Sequence, residues 1–285
     1  MDELLDRRWV EDLVSATLEE DLAGGVDVTS TATIPEGQRS VADFVARADG
    51  VVAGLQVAEL VVRRVAGADA GLTVEHKVVD GTTVAAGDVL LTVTGPTRQL
   101  LTAERTALNL LCHLSGVATL TARWVAALDG TGARVRDTRK TMPLLRSLEK
   151  YAVRCGGGLN HRMSLSDAAL IKDNHVIAAG GVAEAFGLVR AAYPDIPVEV
   201  EVDTVEDAVV AVESGAELIL LDNMPVADMR AAVEKVHGRA KLEASGGLTL
   251  ERAREVGETG VDYLAVGALT HSAPVLDIAM DLRES

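Results

Sequence analysis

Apolar positions along this chain change period twice, and each change marks a change of element. Between Leu4 and Leu22 they recur at helical spacing, which puts Val10, Leu13, Val14, Thr17 and Leu18 on one face of an amphipathic helix. The run "LAGGVDVTS" breaks it. From Val41 to Val93 the pattern shortens to β-rich pieces separated by Gly turns, which predicts an antiparallel layer. "TAERTALNLLCHLSGVATLTARWVAAL", Thr102 to Leu128, returns to helical spacing, with Thr102 placed to cap it and an internal Ser115-Gly116. Beyond it, short apolar strands ("ARVRDT", "DAALIKDNH", "VEVEVDT", "ELILLDN", "AKLEASGG", "DYLAVGA") alternate with helical segments such as "VEDAVVAVESG". Such βαβα alternation predicts parallel strands with helices outside, and the number of units points to a (β/α) barrel, complete or not. No low-complexity linker interrupts the chain, and the domain boundary is expected near Ser115.

Composition narrows the partners. Of 285 residues 48% are hydrophobic, enough for a sizeable core, while aromatics are only 2%, so a ligand site must rely on charge and backbone rather than stacking. A net charge of -16 argues against nucleic acid or an anionic membrane, which need a broad basic face. The two cysteines, Cys112 and Cys155, lack CxxC spacing and read as free thiols in a reducing cytosol. "MDELLDRRWV" has no apolar signal core, and no run is expected to span a membrane. "EHKVVDGTTVAAGDVLLTVTG" is similar to the hairpins of biotinyl and lipoyl carriers, but its Lys77 falls in a strand rather than at a hairpin tip, so a plain antiparallel layer is the simpler reading.

In an acidic protein, cations that cluster need a reason. "RVRDTRKTMP" gathers Arg134, Arg136, Arg139 and Lys140 at the end of the first barrel strand, and barrel active sites lie at such C-terminal ends. The next strand ends in Lys172, Asp173, Asn174 and His175. In "VEVEVD" the period of two sends Val198, Val200 and Val202 outward and Glu199, Glu201 and Asp203 inward. The following strands end in Asp222-Asn223 and place Lys241, Glu243 and Ser245 on one face. Unpaired charges inside a barrel cost several kcal/mol each, so Arg134, Glu199 and Glu243 are expected to form an ion-pair network at depth, leaving the tips for ligand. The small residues Ser245, Gly246 and Gly247, then Val266, Gly267 and Ala268, come after the last strands, where backbone N–H groups and a helix N-terminus can hold phosphate. "YAVRCGGGLNHR" brings His161 and Arg162 behind a triple Gly able to bend tightly. With Thr102 as cap, Arg105 falls in the first helical turn, where a cation opposes the dipole and is either a solvated Arg or one held to meet an anion.

Read in order, "EEDLAGGVDVTS", "ERTALNLLCHLSGVAT", "DTRKTMPLLRSLEKYAVRCGGGLNHR", "IKDNH", "EVEVD", "LDNM", "EASGG" and "LTHSAPVLDIAM" resemble the quinolinate phosphoribosyltransferase family over nearly the whole chain. One departure is Met142-Pro143-Leu144, where members commonly carry Thr-Pro-Gly. The resemblance implies an N-terminal α/β sandwich (1–115, completed by 271–285) and an incomplete α/β barrel (116–270) carrying the active site. It further implies a homodimer or a larger assembly of dimers, cytoplasmic, that joins quinolinate and phosphoribosyl pyrophosphate (PRPP) with Mg²⁺ and gives nicotinate mononucleotide, pyrophosphate and CO₂.

Quinolinate carries two adjacent carboxylates, for which Arg139, Arg162, Lys172 and Arg105 are the natural clamps, supported by His161. Thr138 shares the "DTRKT" stretch with Arg139 and Lys140 and is counted with them. By position, Ser245 to Gly247 and Val266 to Ala268 hold the 5'-phosphate, and Lys140 with Mg²⁺ faces pyrophosphate. Glu201 and Asp222 meet the ribose hydroxyls directly or through metal-bound water, with Mg²⁺ held through the substrate pyrophosphate and no direct protein ligand assigned. Lys140, Glu201, Asp222 and Lys172 form the expected catalytic set. Two other readings stay open: a transferase for a monocarboxylate heterocycle, and an anion sensor on the same fold. An aldolase-like Schiff base at Lys172 is the minor alternative.

Overall fold

The computed structural model describes residues 5–284. In chain order the elements are α1 (Arg7–Leu22), α2 (Val28–Thr33), β1 (Arg39–Ala46), β2 (Gly50–Val51), α3 (Leu55–Ala66), β3 (Thr73–His76), β4 (Thr83–Val84), β5 (Val89–Pro96) and α4 (Thr97–Ala127). They continue as β6 (Arg134–Arg136), α5 (Arg146–Cys155), β7 (Ala169–Ile171), α6 (Asp173–Ala179), α7 (Val182–Ala192), β8 (Val198–Val202), α8 (Val205–Glu213) and β9 (Leu218–Asp222). The last are α9 (Val226–Val236), β10 (Lys241–Ser245), a 3-10 turn (Leu250–Arg252), α10 (Ala253–Gly257), β11 (Tyr263–Ala265), α11 (Ala268–His271) and β12 (Ile278–Glu284). The chain divides into two compact units: 1–120 with 147–157 and 273–285, and 121–146 with 158–272.

The first unit is built on a four-stranded sheet ordered β12-β1-β5-β3. Its pairings are antiparallel, and β12 returns from the chain's end to lie along β1, Phe44 opposite Met280 and Ala46 opposite Ile278. Apolar alternation on β1 and β5 buries Phe44, Leu90, Leu91 and Val93. Each fully buried side chain of this size contributes about 1.5–3 kcal/mol. Helix α1 buries Val10, Val14 and Leu18 and is capped by Asp6, whose carboxylate accepts the amides of Arg8 and Trp9. Leu4, where the pattern began, lies outside the described residues.

Helix α4 corrects three expectations. It starts at Thr97, so Thr102 is no cap; its hydroxyl donates back to the Arg98 carbonyl (2.9 Å) from mid-helix. Arg105 is therefore more than two turns in, and the dipole argument for it lapses. The helix passes through Ser115-Gly116 without a break. Those two residues instead seat neighbours: Ser115 Oγ accepts the Ala53 amide at 3.0 Å, and a Cβ on Gly116 would stand 2.2 Å from the Pro274 carbonyl oxygen. By length and composition α4 is also apolar enough to cross a membrane, against the sequence expectation, although half of that stretch is buried in the protein.

The second unit is a six-stranded, all-parallel sheet ordered β6-β11-β10-β9-β8-β7. Helices succeed the strands as the alternation predicts. β6 and β7 are the two edges and do not pair, so the barrel is incomplete; Leu159 bridges Arg136 on the free side of β6. Strand β8 shows how the interior acquires charge: Val198, Val200 and Val202 are buried, and the alternate positions Glu199 and Glu201 face the other way.

Candidate active site

A cleft of about 600 Å³ lies over the C-terminal ends of the barrel strands. It is lined by Thr138, Arg139 and Lys140 after β6, His161 and Arg162 from the loop beyond α5, and Lys172 after β7. Glu201, Asp222, Asn223, Glu243, Ser245, Gly246 and Gly247 complete its wall. These residues, dispersed over more than a hundred positions, converge because most of them end a parallel strand or come just after one, with His161 and Arg162 brought in by the loop after α5. Arg105 stands on α4 of the first unit, exposed to solvent, and is not among the lining residues.

The cations of the cleft are held with donors to spare. Arg162 spends one guanidinium nitrogen on the Ala168 carbonyl (2.8 Å). Burial first, and the Arg139 charge second, hold its guanidinium below the ordinary arginine range, so the two arginines face the same space. Arg139 Nε is buried and has no hydrogen-bond partner. A buried donor left unmade is costly, and two like charges side by side add to that cost; an anion relieves both. Lys172 is fixed from two sides: its Nζ donates to Glu201 Oε2 (2.6 Å), and its amide donates to His175 Nδ1 (2.9 Å). His175 thus acts in the turn that starts α6.

Below this rim the barrel floor carries a buried polar cluster. His161 Nε2 lies 2.7 Å from Glu199 Oε2 and 3.5 Å from Glu243 Oε1, while Arg136 Nη1 donates to Glu243 Oε2 at 2.6 Å. The expected network exists, with one correction: Arg136, not Arg134, supplies its cation. Arg134 shares the face of β6 but sits at the strand's solvent-exposed start. The three ligand-type atoms of His161, Glu199 and Glu243 lie within 4.8 Å of one another, yet the set suits a metal poorly. The Arg162 amide donates to His161 Nδ1 (2.7 Å), so the neutral ring's proton sits on Nε2, the atom a metal would need.

The phosphate-type loops hold up in shape and not in dipole. Gly246 and Gly247 adopt φ of 86° and 59°, and a Cβ on Gly246 would come within 2.2 Å of Asn223 Oδ1, so this turn demands glycine. A Cβ on Gly267 would lie 3.1 Å from Lys140 Cδ, which shows Lys140 lying across the Val266–Ala268 turn. Thr270 Oγ1 donates to the Lys140 carbonyl at 2.8 Å. Gly247 leads into a 3-10 turn and a five-residue helix, and α11 after Gly267 has four residues. Helices this short bring little dipole, so an anion here depends on backbone N–H groups and Lys140.

Two further residues, Asp137 among the charged strand ends and Arg146 outside them, organise the site. Asp137, fully buried, accepts the His161 amide (2.8 Å) and the Asn160 side chain (2.6 Å), so this strand-end carboxylate holds the histidine loop instead of facing ligand. Arg146 ties two loops together: its Nε donates to Thr141 Oγ1 (3.0 Å) and its Nη1 to the Met163 carbonyl (3.0 Å). Its Nη2 reaches the Arg139 carbonyl at 3.5 Å. No sequence period flags Arg146, because its work is long-range side chain to backbone. A cleft of similar size in the first unit, lined by Glu59, Arg63, His76, Asp80 and Tyr151 among others, has its charges already matched. There Glu59 accepts from Arg63 and His76, and Asp80 from Tyr151.

Comparison with known proteins agrees with this geometry. Residues 27–115 match the quinolinate phosphoribosyl transferase N-terminal domain and residues 117–281 the C-terminal domain. The nicotinate-nucleotide pyrophosphorylase [carboxylating] of Mycobacterium leprae is 55% identical over 95% of this chain and 96% of its own. The probable nicotinate-nucleotide pyrophosphorylase [carboxylating] of Bacillus subtilis is 42% identical over 93% and 91%. The crystal structure of NadC from Streptococcus pyogenes superposes with a TM-score of 0.93 at 39% identity, covering 99% of each chain. With both domains matched in order and the barrel cleft carrying the motif residues, the chain belongs to the quinolinate phosphoribosyltransferase family.

Proposed function

We propose that this chain transfers the phosphoribosyl group of PRPP to quinolinate with loss of CO₂, giving nicotinate mononucleotide and pyrophosphate, a step of NAD biosynthesis. The carrying observation is the pair Arg139 and Arg162, adjacent in one cleft with a buried donor unspent, in a protein of net charge -16. A small dianion with two neighbouring carboxylates uses that arrangement: Arg139 and Arg162 clamp it, Lys172 adds a point charge, and His161 supports Arg162 through its amide. Ser245 to Gly247 and Val266 to Ala268 take the 5'-phosphate, and Lys140 and Thr138 take the pyrophosphate side.

Breaking the bond from C1' to pyrophosphate leaves positive charge on the ribose, which Glu201 and Asp222 stabilise while accepting from its hydroxyls. Each has one oxygen engaged, Glu201 by Lys172 and Asp222 by Asn223 Nδ2 (2.8 Å). The remaining oxygens would be available to Mg²⁺, directly or through bound water. When bound, Mg²⁺ neutralises charge on the leaving group. The ring nitrogen, once substituted, is cationic and stabilises the electron pair left as CO₂ departs. No protein nucleophile is needed, and Lys172 Nζ already donates to Glu201 Oε2 at 2.6 Å.

Arg105, exposed on α4, serves the cleft of a second copy in a homodimer, and the enzyme works in the cytoplasm. Incubation with quinolinate, PRPP and Mg²⁺ should yield nicotinate mononucleotide, pyrophosphate and CO₂ in equal amounts; nicotinate turning over in place of quinolinate would overturn the dicarboxylate assignment. Arg105→Ala and Lys140→Ala should each be nearly inactive, and mixing them under subunit exchange should restore about a quarter of wild-type activity, since one site per mixed dimer is intact. No recovery, with exchange confirmed by native mass spectrometry, would sink the shared site.

A further inference from the structure

Two carboxylates of the cleft, Glu201 and Asp222, are each held by one neighbour. Lys172 Nζ donates to Glu201 Oε2 (2.6 Å), and Asn223 Nδ2 donates to Asp222 Oδ2 (2.8 Å). Among the described residues, that amide is the only hydrogen-bond partner of the Asp222 side chain. Without it, nothing polar would fix which way the carboxylate turns. Asn223 also has an unusual backbone. It comes directly after β9 and holds φ of 53°. Of the four described non-glycine residues with positive φ, Ala23 and His237 end helices and Leu144 lies in an exposed turn. Asn223 is the one that lines the cleft.

That backbone lays the carboxamide over the glycine turn. The Asn223 amide donates to the Ser245 carbonyl at 2.9 Å, which carries the pairing of β9 with β10 one residue past Asp222 and Ser245. A Cβ built on Gly246 would collide with Asn223 Oδ1 and Cγ and stand 2.8 Å from Nδ2, so the carboxamide fills the place a side chain there would take. Asp222 decides how the amide faces: a carboxylate accepts, so Nδ2 meets it and Oδ1 is left over Gly246. One side chain thus touches both the acid assigned to the ribose hydroxyls and the turn assigned to the 5'-phosphate. On a single sugar those two groups stand a fixed distance apart, and binding both at once requires the acid and the turn to be set at the matching distance.

We propose that Asn223 is a positioning residue for the sugar donor: it holds Asp222 at a set distance from the Ser245–Gly247 turn, so that the ribose and the 5'-phosphate of one PRPP are bound together. This role rests on the proposed transfer from PRPP, with Asp222 at the ribose and the turn at the phosphate. It asks no chemistry of Asn223 itself, whose amide neither gains nor loses a proton. The plainer account is that asparagine is simply tolerant of a left-handed backbone. The two accounts part at glycine, which takes φ of 53° without strain yet has no amide to offer Asp222.

The test compares Asn223→Gly and Asn223→Asp with wild type in steady-state kinetics with quinolinate, PRPP and Mg²⁺ at pH 8. In Asn223→Gly the melting temperature should stay within about 3 °C, since glycine suits the turn. KM for PRPP should rise about 10–100-fold, the scale of one hydrogen bond to a charged group, with KM for quinolinate within about twofold. Asn223→Asp keeps the shape over Gly246 but puts an acceptor where the donor was, and should do no better than glycine. A KM for PRPP within about twofold of wild type in either variant overturns the proposal. A double-mutant cycle shows whether Asn223 acts through Asp222. Added to Asp222→Ala, Asn223→Gly should lower kcat/KM for PRPP by less than about threefold further, and a second full-sized loss overturns the proposal. A wild type that forms no nicotinate mononucleotide sinks the transferase reading and this role with it, whereas a working wild type with an unaffected glycine variant sinks this role alone.

Discussion

The floor and the rim of the barrel are made of the same residue types and behave in opposite ways. At the floor, Glu199, Glu243 and His161 are buried, Arg136 is largely so, and they interact chiefly with one another. At the rim, Lys140 and Lys172 are exposed and Glu201 is half-buried, so solvent screens them and a ligand can replace it. Arg139 falls between the two, near enough to water to be reached and buried enough that its Nε lacks a partner. The difference teaches that burial decides whether a charge is settled or available. A buried pair broken on one side costs about 3–5 kcal/mol, whereas an exposed pair is worth about 0–1 kcal/mol. Catalytic substitutions should therefore leave the rim folded and change rates, and floor substitutions should register in stability as well.

The largest effect belongs to Lys140→Ala. Its charge acts on the leaving pyrophosphate, so kcat should fall about 100–1,000-fold with quinolinate affinity nearly unchanged and melting temperature within about a degree. Full kcat in that variant would remove Lys140 from the chemistry. Arg139→Ala should behave differently, weakening quinolinate binding by calorimetry about 10–100-fold, the worth of a charge-assisted bond or two. If both variants changed kcat and affinity alike, rim residues would not divide their labour as described.

Stability against pH separates the floor next. The Glu243 acid is raised from its ordinary 4.5 to about 7, with burial the first cause and Glu199 the second. A raised carboxyl favours the folded state below its unfolded value and loses that contribution as pH climbs through the folded one. Wild type should lose on the order of 1–3 kcal/mol from this group between about pH 4.5 and 7. Glu243→Gln should lack that decline, so the gap between the two proteins in urea should change in the variant's favour from pH 5 to pH 8. Parallel stability curves would mean Glu243 is ionised in the fold.

How far the sequence carried is visible in this same division. The βαβα alternation, the inward acids of "VEVEVD" and the cation clusters at strand ends are periodic or local signals, and the structure has them where that pattern puts them. The failures were contacts with no local signature. Thr97 starts α4 five residues before the expected cap, directly after Pro96 ends β5. Arg134 and Arg136 share a face, and only the depth of the strand end distinguishes the one that meets Glu243. Asp137 sits among the charges of its strand end, and only its partners, the His161 amide and Asn160, show that it holds a loop. Arg146 carries no local signal for its ties to Thr141 and Met163.

Arg146 also offers a test on the boundary between rim and floor. It fastens the loop of Arg139 to the loop of Arg162 through backbone carbonyls, touching no lining charge. Arg146→Ala should raise KM for quinolinate about 5–10-fold with kcat within about twofold, since two clamps lose their spacing while Lys140 keeps its seat on Gly267. Arg146→Lys, able to keep one carbonyl contact but not the fork, should recover part of the loss. Equal changes in KM for both substrates would make Arg146 a general stabiliser of the unit.

The smallest expected effect probes the rim's tolerance directly. Leu144 lies beyond Lys140 in the loop where the chain departs from the family's usual glycine, and it holds φ of 65° with 76% of its surface exposed. A left-handed conformation costs a non-glycine residue about 1–2 kcal/mol, and so exposed a side chain recovers little of that through packing. Glycine at this position removes the strain, while its freer unfolded chain takes back roughly 0.5–1 kcal/mol. Leu144→Gly should therefore raise stability by a few tenths to about 1 kcal/mol, a gain in melting temperature of roughly 1–3 °C. Activity should stay within about twofold, because Thr141 and Arg146 anchor the loop on one side and Thr270 holds the Lys140 carbonyl on the other. A lower melting temperature would show that Leu144 makes contacts worth more than its backbone strain. A large loss of kcat with stability gained would show that the strained leucine itself holds Lys140 in place, and the rim would then be as closely determined as the floor.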